Sequence, residues 1–307
     1  MDSRQLRYFA AIYEEGALAR AADRERVAVS ALSRHLSILE AELGVPLFER
    51  LPRGVRPTAS GVRLYEHARA ILRAMQAARA DVRDTPQEIA GEISVGLAHS
   101  AVKAIAVPLM QHVSQKFPKL RLHLSEIFSG TTTEQLASSA VDLTITYNQV
   151  PDARFRFQPI LEEEVVLVGR PDVLKGHGSI SFEELLNLPL IILRQGVNTR
   201  AVMDDPSLLK RLEENAQFQM NSIAAIGGSL VSGIGCLVGT ELIVKEHIES
   251  GTLVARPIVN PRLNRVLYVG ELSERPATFA FEAVRQLCIE LTTKAVRDQT
   301  WKAALII

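Results

Sequence analysis

The chain has 307 residues, of which 47% are hydrophobic, and its 35 basic and 35 acidic side chains give a formal net charge of zero. This length favours two domains, and the composition is that of an ordinary globular protein rather than a disordered or fibrous one. A neutral chain is not expected to coat nucleic acid, which needs a large positive excess, although a local basic surface remains compatible with it.

The sequence contains neither an apolar run of about 18 residues nor the apolar core of a signal peptide. We therefore expect a cytoplasmic protein without a membrane span. Its two cysteines, Cys236 and Cys288, are expected to be reduced thiols that are buried as small hydrophobic groups.

Three helices are predicted at the start of the chain. Asp2 and Gln5 form a capping pattern, and Gly16 ends the first helix. The segment 17–34 reads as a helix, a turn and the start of a third helix. In this third helix one face is expected to be buried, because leucines recur at spacings of four, three and four: Leu32, Leu36, Leu39 and Leu43.

The opposite stripe of the third helix carries Ser30, Ser33, Arg34 and Ser37. A helix that buries leucines and presents hydroxyls and a guanidinium group to solvent suits the major groove of double-stranded DNA. DNA is therefore the first partner to consider.

The segment 51–57 predicts a short hairpin with Arg53 and Gly54 at its tip. A hairpin after a recognition helix is a wing, and Arg50, Arg53 and Arg56 could reach phosphates or the minor groove. The alternative is a solvated basic loop. Before Lys103 every Lys or Arg residue is arginine, which suits phosphate recognition, but a GC-rich genome would produce the same bias.

A long helix is predicted from its cap at Thr58 to about residue 84, where Thr85 and Pro86 end it. Its apolar residues form a heptad seam: Leu64, Ala68, Ile71, Met75, Ala78 and Val82. We expect this seam to pair with a second copy of the chain. Packing of the helix on its own domain is the alternative.

From Gly91 onward strands and helices alternate, which predicts an α/β domain with a mostly parallel sheet covered on both faces. Strands are predicted at 93–97, 120–124, 141–147, 165–168, 190–193, 236–238 and 266–269, and helices at about 101–116, 131–139 and 277–297.

The order of these parts resembles that of the LysR-type transcriptional regulators along the full chain. The matching residues are Leu6-Arg7-Tyr8-Phe9, Gly16, Ala21-Ala22, Ala31-Leu32-Ser33, Leu39-Glu40, Leu43-Gly44, Leu47-Phe48-Glu49-Arg50 and Thr58-Ala59-Ser60-Gly61. The segments Arg53-Gly54-Val55 and Tyr65-Glu66-His67-Ala68-Arg69 resemble the branch that contains the nitrogen assimilation control proteins.

The resemblance implies a winged helix-turn-helix domain at 1–58, a linker and dimerisation helix at 59–90, and an effector-binding domain at 91–307. That last domain would be similar to type 2 periplasmic binding proteins. Subdomain I would cover about 91–162 and 269–297, subdomain II would cover 163–268, and crossovers would lie near 162–165 and 266–269. The expected function is sequence-specific transcriptional regulation by a dimer or tetramer, with RNA polymerase as a further partner.

One position departs from the family. The family has glutamine followed by proline at the start of the recognition helix, where this chain has Val29 and Ser30. Val29 could still touch a thymine methyl group, and Ser30 could bond to a phosphate or a base edge. The usual half-site contacts are therefore in doubt.

A small, anionic effector is expected in the cleft between the subdomains, because α/β sheets bind ligands at the carboxyl ends of their strands and helix N-termini favour negative charge. The candidate residues are Ser100, Thr131, Thr132 and Asn148 on one side and Arg200 and Ser222 on the other. The alternative for each hydroxyl is a helix cap.

No enzymatic activity, metal or cofactor is expected. The seven histidines are scattered, and no metal-ligand spacing, nucleophile elbow or Walker loop is present. The competing hypothesis is a small-molecule-binding protein or enzyme with an appended dimerisation helix.

Overall fold

A computed structural model describes residues 1–83, 89–147, 151–193, 205–275 and 278–306. The chain forms two compact units, Met1–Thr85 with Ala137–Ala140, and Pro86–Leu136 with Val141–Ile307. Within the described ranges, no helix is both long and apolar enough to cross a membrane.

The first unit contains four helices and a hairpin. Its elements are α1 (Ser3–Glu15), α2 (Leu18–Glu25), α3 (Val29–Leu43), β1 (Phe48–Leu51), β2 (Gly54–Pro57) and α4 (Ala59–Arg83). The predicted caps are confirmed. The Gln5 N–H donates to the Asp2 carboxylate at 2.8 Å, the Asp2 N–H donates to the Gln5 side chain at 2.7 Å, and Gly16 ends α1 with φ 62°.

The predicted leucine face of α3 holds this unit together. Leu32, Leu36 and Leu39 are buried against α1 residues such as Phe9. Leu43 is 39% exposed, so its predicted burial is wrong. It is the last residue of α3, directly before the left-handed Gly44, and therefore projects beyond the core.

The hairpin is confirmed, but it begins earlier than predicted, because β1 and β2 pair antiparallel from Phe48 with Pro57 to Leu51 with Gly54. The Val55 N–H donates to the Gly16 carbonyl at 2.9 Å and fastens the hairpin to the loop between α1 and α2. Position 54 requires glycine, since its φ is 98° and a Cβ there would lie 2.4 Å from the Gly16 oxygen.

The second unit is an α/β domain with a mixed sheet. Its strands are β3 (Ala90–Leu97), β4 (Lys119–Glu126), β5 (Leu143–Tyr147), β6 (Phe155–Gly169), β7 (Ile180–Ser181), β8 (Leu190–Leu193), β9 (Ala216–Met220), β10 (Cys236–Gly239), β11 (Val254–Val259), β12 (Leu263–Leu272) and β13 (Ala304–Leu305). Its helices are α5 (His99–Ala101), α6 (Val107–Lys116), α7 (Thr132–Ala137), α8 (Pro171–Leu174), α9 (Phe182–Leu185), α10 (Pro206–Asn215), α11 (Ile223–Val231), α12 (Lys245–Glu249) and α13 (Phe279–Arg297). A π-helical turn, Val102–Ala106, joins α5 to α6, and short 3-10 turns cover Ser129–Thr131 and Glu241–Val244.

The sheet order is β4-β3-β5-β12-β6-β10-β8-β9. Its outer pairs are parallel, but β12 runs antiparallel to β5 and β6, and β6 runs antiparallel to β10. The expectation of a mostly parallel sheet is therefore wrong at the centre. Here two long strands carry the chain between the subdomains in opposite directions.

These two strands, called the hinge below, each pass from one hydrophobic core to another, because Leu161 and Leu267 pack in the first core and Val165 and Leu263 in the second. β6 pairs with β12 as far as Val165, and with β10 and β11 from Val166 onward. The strand therefore changes partners at the end of the predicted crossover segment 162–165. β12 passes back between Leu263, which packs in the second core, and Leu267, which packs in the first, so this crossover overlaps the start of the predicted segment 266–269. The ends predicted for the long helix at 84–86 and for the last helix at 277 lie outside the described residues.

A short C-terminal tail follows α13 and was not predicted. β13 pairs antiparallel with β6, and Trp301, which is 1% exposed, belongs to the first hydrophobic core of the α/β domain. The tail thereby returns the end of the chain to the hinge.

Candidate functional site

The face of α3 opposite its leucines lies open. Ser30, Arg34 and Ser37 are exposed, Val29 is 45% exposed, and Ser33 is half-buried. The helix therefore presents small polar groups and one guanidinium group on a rigid support, which is the surface that major-groove reading requires.

The hairpin carries three exposed arginines in two different states. Arg56 donates to Glu49 across the hairpin, at 2.5 Å from Nη2 and 3.1 Å from Nε, and this pairing raises its pKa. Arg50 and Arg53 are exposed and have no ion pair among the described residues. Of the three, Arg50 and Arg53 are the arginines free to engage phosphates.

The predicted seam of α4 divides into two parts. Ala68 is fully buried and Leu64 half-buried against the core of their own domain, so that part of the seam packs internally, as the alternative had proposed. The remaining seam residues are exposed: Ile71 at 39%, Met75 at 36%, Val82 at 87%, and Ala78. An apolar stripe of this kind on a single chain is suited to a second copy.

A small cavity of about 20 Å³ lies between the two subdomains of the α/β domain, which is room for about one water molecule. It is lined by Ala98, His99, Ser100, Ile127, Phe128, Ser129 and Tyr147 from one side, by Leu193, Ile223, Leu237, Val238, Gly239 and Ile243 from the other, and by Arg265. Of the predicted effector residues, Ser100 is therefore in the cleft.

The other predicted effector residues do not line this cavity. The Ser222 hydroxyl accepts the Ala225 N–H at 3.3 Å as the cap of α11, and the Thr131 hydroxyl donates to the Phe128 carbonyl at 3.0 Å. Thr132 is fully buried, and its hydroxyl has no partner within the described residues. Asn148 and Arg200 lie outside the described residues.

The dominant group in the cleft is Arg265 of β12, which sequence reasoning missed. Its guanidinium donates to one Glu163 carboxylate oxygen at 2.8 and 3.0 Å, to the Ser100 hydroxyl at 2.9 Å and to the Thr240 hydroxyl at 3.1 Å. It also lies 3.6 Å from the centre of the Tyr147 ring. The same Glu163 carboxylate accepts from the Tyr147 hydroxyl at 2.8 Å.

Burial governs the electrostatics of this cluster, since Arg265 is 6% and Glu163 2% exposed. Burial is the largest single effect and by itself lowers the pKa of Arg265, but the combined interactions with Glu163 and Tyr147 outweigh it, so the pKa stays raised. Burial raises the pKa of Tyr147 well above its usual value. The cleft therefore holds a fixed cation and a neutral phenol.

A signal for this cluster is present in the sequence. Leu263, Arg265 and Leu267 alternate along β12, and Leu161, Glu163 and Val165 alternate along β6, so both charged residues occupy positions on the buried face. A charge at such a position is rarely unpaired. The two charges, one on each crossover strand, could have been matched to each other.

Within the described ranges, no group of three or more His, Cys, Asp and Glu side chains could hold a metal ion. Both cysteines are buried, and burial raises the pKa of each thiol to about 12.

A winged helix-turn-helix domain, a long helix with an exposed apolar stripe, and a two-subdomain α/β domain together define a DNA-binding regulator with a ligand-binding domain. The sequence model for "Bacterial regulatory helix-turn-helix protein, lysR family" matches residues 3–62, and that for "LysR substrate binding domain" matches residues 86–293. The chain belongs to the LysR family of transcriptional regulators.

Two relatives are nitrogen assimilation regulatory proteins named nac. The one from Klebsiella aerogenes is 29% identical over 295 residues, with 96% of each chain covered. The one from Escherichia coli is 29% identical over 300 residues, covering 97% of this chain and 98% of the relative. The expected likeness to this branch is confirmed.

Solved structures confirm the fold. A full-length OxyR variant from Pseudomonas aeruginosa has a TM-score of 0.71 at 23% identity, covering 95% of this chain and 97% of that chain. Full-length CbnR in complex with its target DNA has a TM-score of 0.64 at 21% identity, covering 94% of this chain and 99% of that chain.

Proposed function

We propose that this regulator reads its operator with α3 and the hairpin, pairs through α4, and responds to a small anionic effector in the cleft of the α/β domain. The proposed boundaries are those predicted from sequence: 1–58, 59–90 and 91–307. The observation that carries the DNA-binding part is α3, which buries its leucines and leaves Ser30, Arg34 and Ser37 exposed.

In this proposal Arg34 and the serines of α3 contact base edges, and Arg50, Arg53 and Arg56 of the hairpin contact the backbone. Val29 contacts a thymine methyl group, and Ser30 lies at the entrance of the groove.

The test uses the purified full-length protein and an operator selected from a random pool of duplexes. Arg34→Ala should weaken binding by roughly 1–3 kcal/mol, or about 5- to 150-fold, and relax the preference at one base pair. The matched control is Arg121→Ala, because Arg121 is an arginine of the α/β domain with 80% side-chain exposure. Equal affinities of the two variants would contradict the assignment of α3.

The exposed stripe of α4 supports a dimer, since a single winged helix holds only one half-site and a two-fold pair holds both. The residues of the dimer seam are Ile71, Met75, Ala78 and Val82. Leu64 and Ala68 pack against the core of their own domain and support the start of the helix.

We propose that two such dimers form a tetramer and that RNA polymerase is the partner through which transcription changes.

The effector part rests on Arg265, which supplies a buried cation between the subdomains. An anionic effector would approach this guanidinium beside the Glu163 carboxylate and meet Ser100 there. The remaining proposed contacts are Thr131, Thr132, Asn148, Arg200 and Ser222. Since the cavity holds only about 20 Å³, the subdomains must part to admit a ligand.

Such a ligand would act by binding the open arrangement more tightly than the closed one, because equal affinity for both would shift nothing. A screen of small carboxylates for a raised melting temperature tests this part of the proposal. A carboxylate that stabilises the wild type and the Arg265→Met variant equally would place the effector elsewhere.

A further inference from the structure

A second and much larger cavity lies on the α/β domain and shares no lining residue with the cleft. Its volume is about 560 Å³, within the range of about 300–1,000 Å³ that small-molecule sites occupy. Its lining comes from the segments 241–249 and 296–303. One wall is therefore the α12 region and the other is the C-terminal tail.

The floor of this tail pocket is apolar. Leu242 is 8% and Trp301 1% exposed, and Ile248, Val296 and Ala303 are half-buried. Two surface contacts join the walls, because the Lys245 ammonium donates to the Thr300 carbonyl at 3.1 Å and the Lys302 ammonium donates to Glu241 at 2.8 Å. The tail is thereby connected to α12 and to the turn before it.

The charged groups that line the tail pocket are two lysines and two glutamates. Lys302 pairs with Glu241, and Lys245 lies 3.8 Å from Glu249. Each ammonium group has three donors, so both lysines keep donors beyond these contacts, and each carboxylate keeps lone pairs. A ligand with a net charge would leave one sign at the pocket uncompensated, whereas a zwitterion would match both.

The tail pocket also borders the hinge. The Trp301 indole donates its N–H to the Glu163 carboxylate at 3.1 Å, and Glu163 is the residue that holds Arg265 in the cleft. One hydrogen bond therefore connects the lining of the tail pocket to the cleft cluster.

We propose that the tail pocket binds a free amino acid with an apolar side chain. Its carboxylate would contact Lys245 and Lys302, and its ammonium group would contact Glu241 and Glu249. Its side chain would lie on Ile248, Val296 and Ala303, the half-buried apolar residues of the lining. This site is distinct from the effector cleft.

Trp301 is the only tryptophan of the chain, so tryptophan fluorescence reports on this pocket directly. The experiment titrates the full-length protein with L-leucine, and in parallel with isocaproate, which lacks the ammonium group, and isoamylamine, which lacks the carboxylate. We expect a saturable change with leucine and at least about tenfold weaker binding of each analogue, because each has lost one set of charged hydrogen bonds.

The Lys245→Met/Lys302→Met double variant should weaken leucine binding by at least about tenfold. The matched control is Lys103→Met, which removes a lysine that pairs with Glu246 of α12 at 3.1 Å but does not line the pocket. No saturable response to leucine, equal binding of isocaproate, or an undiminished response in the double variant would each overturn the proposal.

Discussion

Loss of the Arg265 guanidinium should destabilise the α/β domain more than loss of a surface arginine. In Arg265→Met the Glu163 carboxylate would stay buried while it loses two charged hydrogen bonds, at 2.8 and 3.0 Å. The Tyr147 hydroxyl and the Trp301 N–H would still donate to it, but neither carries a positive charge. Stranding one partner of a buried ion pair in this way costs about 3–5 kcal/mol.

For a domain of this size each kcal/mol lowers the melting temperature by roughly 2–4 °C, so the expected loss is about 6–20 °C. Thermal unfolding followed by the fluorescence of Trp301 measures it, since that indole belongs to the same cluster. The control Arg121→Met removes a pair with Glu92 at 3.2 Å in which the arginine is 80% exposed, and should cost about 0–1 kcal/mol.

The double variant Arg265→Met/Glu163→Gln separates a buried charge from lost packing. Because it removes the stranded carboxylate, it should be more stable than Arg265→Met alone. The reasoning is refuted if Arg265→Met costs no more than Arg121→Met, or if the two substitutions in the cluster are simply additive.

Three further predictions concern other parts of the chain. Arg53→Ala should reduce the slope of operator affinity against salt concentration by about one unit, and Arg56→Ala by less, because Arg56 is already paired within the hairpin; equal slopes for both variants and the wild type would return the hairpin to a solvated loop. Ile71→Asp should weaken the dimer on the order of a hundredfold in sedimentation experiments, because it places a carboxylate in the seam, whereas Gln76→Asp, at an exposed position of α4 outside the seam residues, should not. An intact Ile71→Asp dimer would exclude the seam. Both cysteines should resist thiol reagents in the folded protein and react once it unfolds, and rapid labelling of the native protein would contradict this. Burial raises the pKa of each thiol from 9.0 to about 12, so the folded protein keeps the thiols protonated at a pH where the unfolded chain ionises them. The stability that comes from burying neutral thiols is therefore fully present below about pH 9 and is lost as the pH rises towards 12.

Local patterns were enough to predict the N-terminal domain. The cap formed by Asp2 and Gln5, the left-handed turn at Gly16 and the leucine spacing of α3 all act within one or two helical turns, so the residues themselves specify the helices. The prediction that Leu43 is buried was wrong because helical spacing alone does not show where a core ends.

The strands of the α/β domain were also recognisable, because their apolar residues are consecutive or alternate along the chain. The relative directions of these strands could not be predicted from the same patterns. Whether β6 and β12 run parallel depends on how the chain passes between subdomains, and residues such as Val165 and Leu263 that meet there are far apart in sequence. Only the tertiary structure fixes such pairs.

The cleft shows the same division between local and long-range information. Ser100 was found from its position after a strand, and the alternation of β12 already places Arg265 on a buried face. What the sequence could not specify is that Arg265, Glu163, Tyr147 and Trp301 converge on one point, since they come from three strands and a C-terminal tail. A buried charge needs a partner from whichever segment the fold brings near it, and that choice is made by the packing of the whole domain rather than by any local pattern.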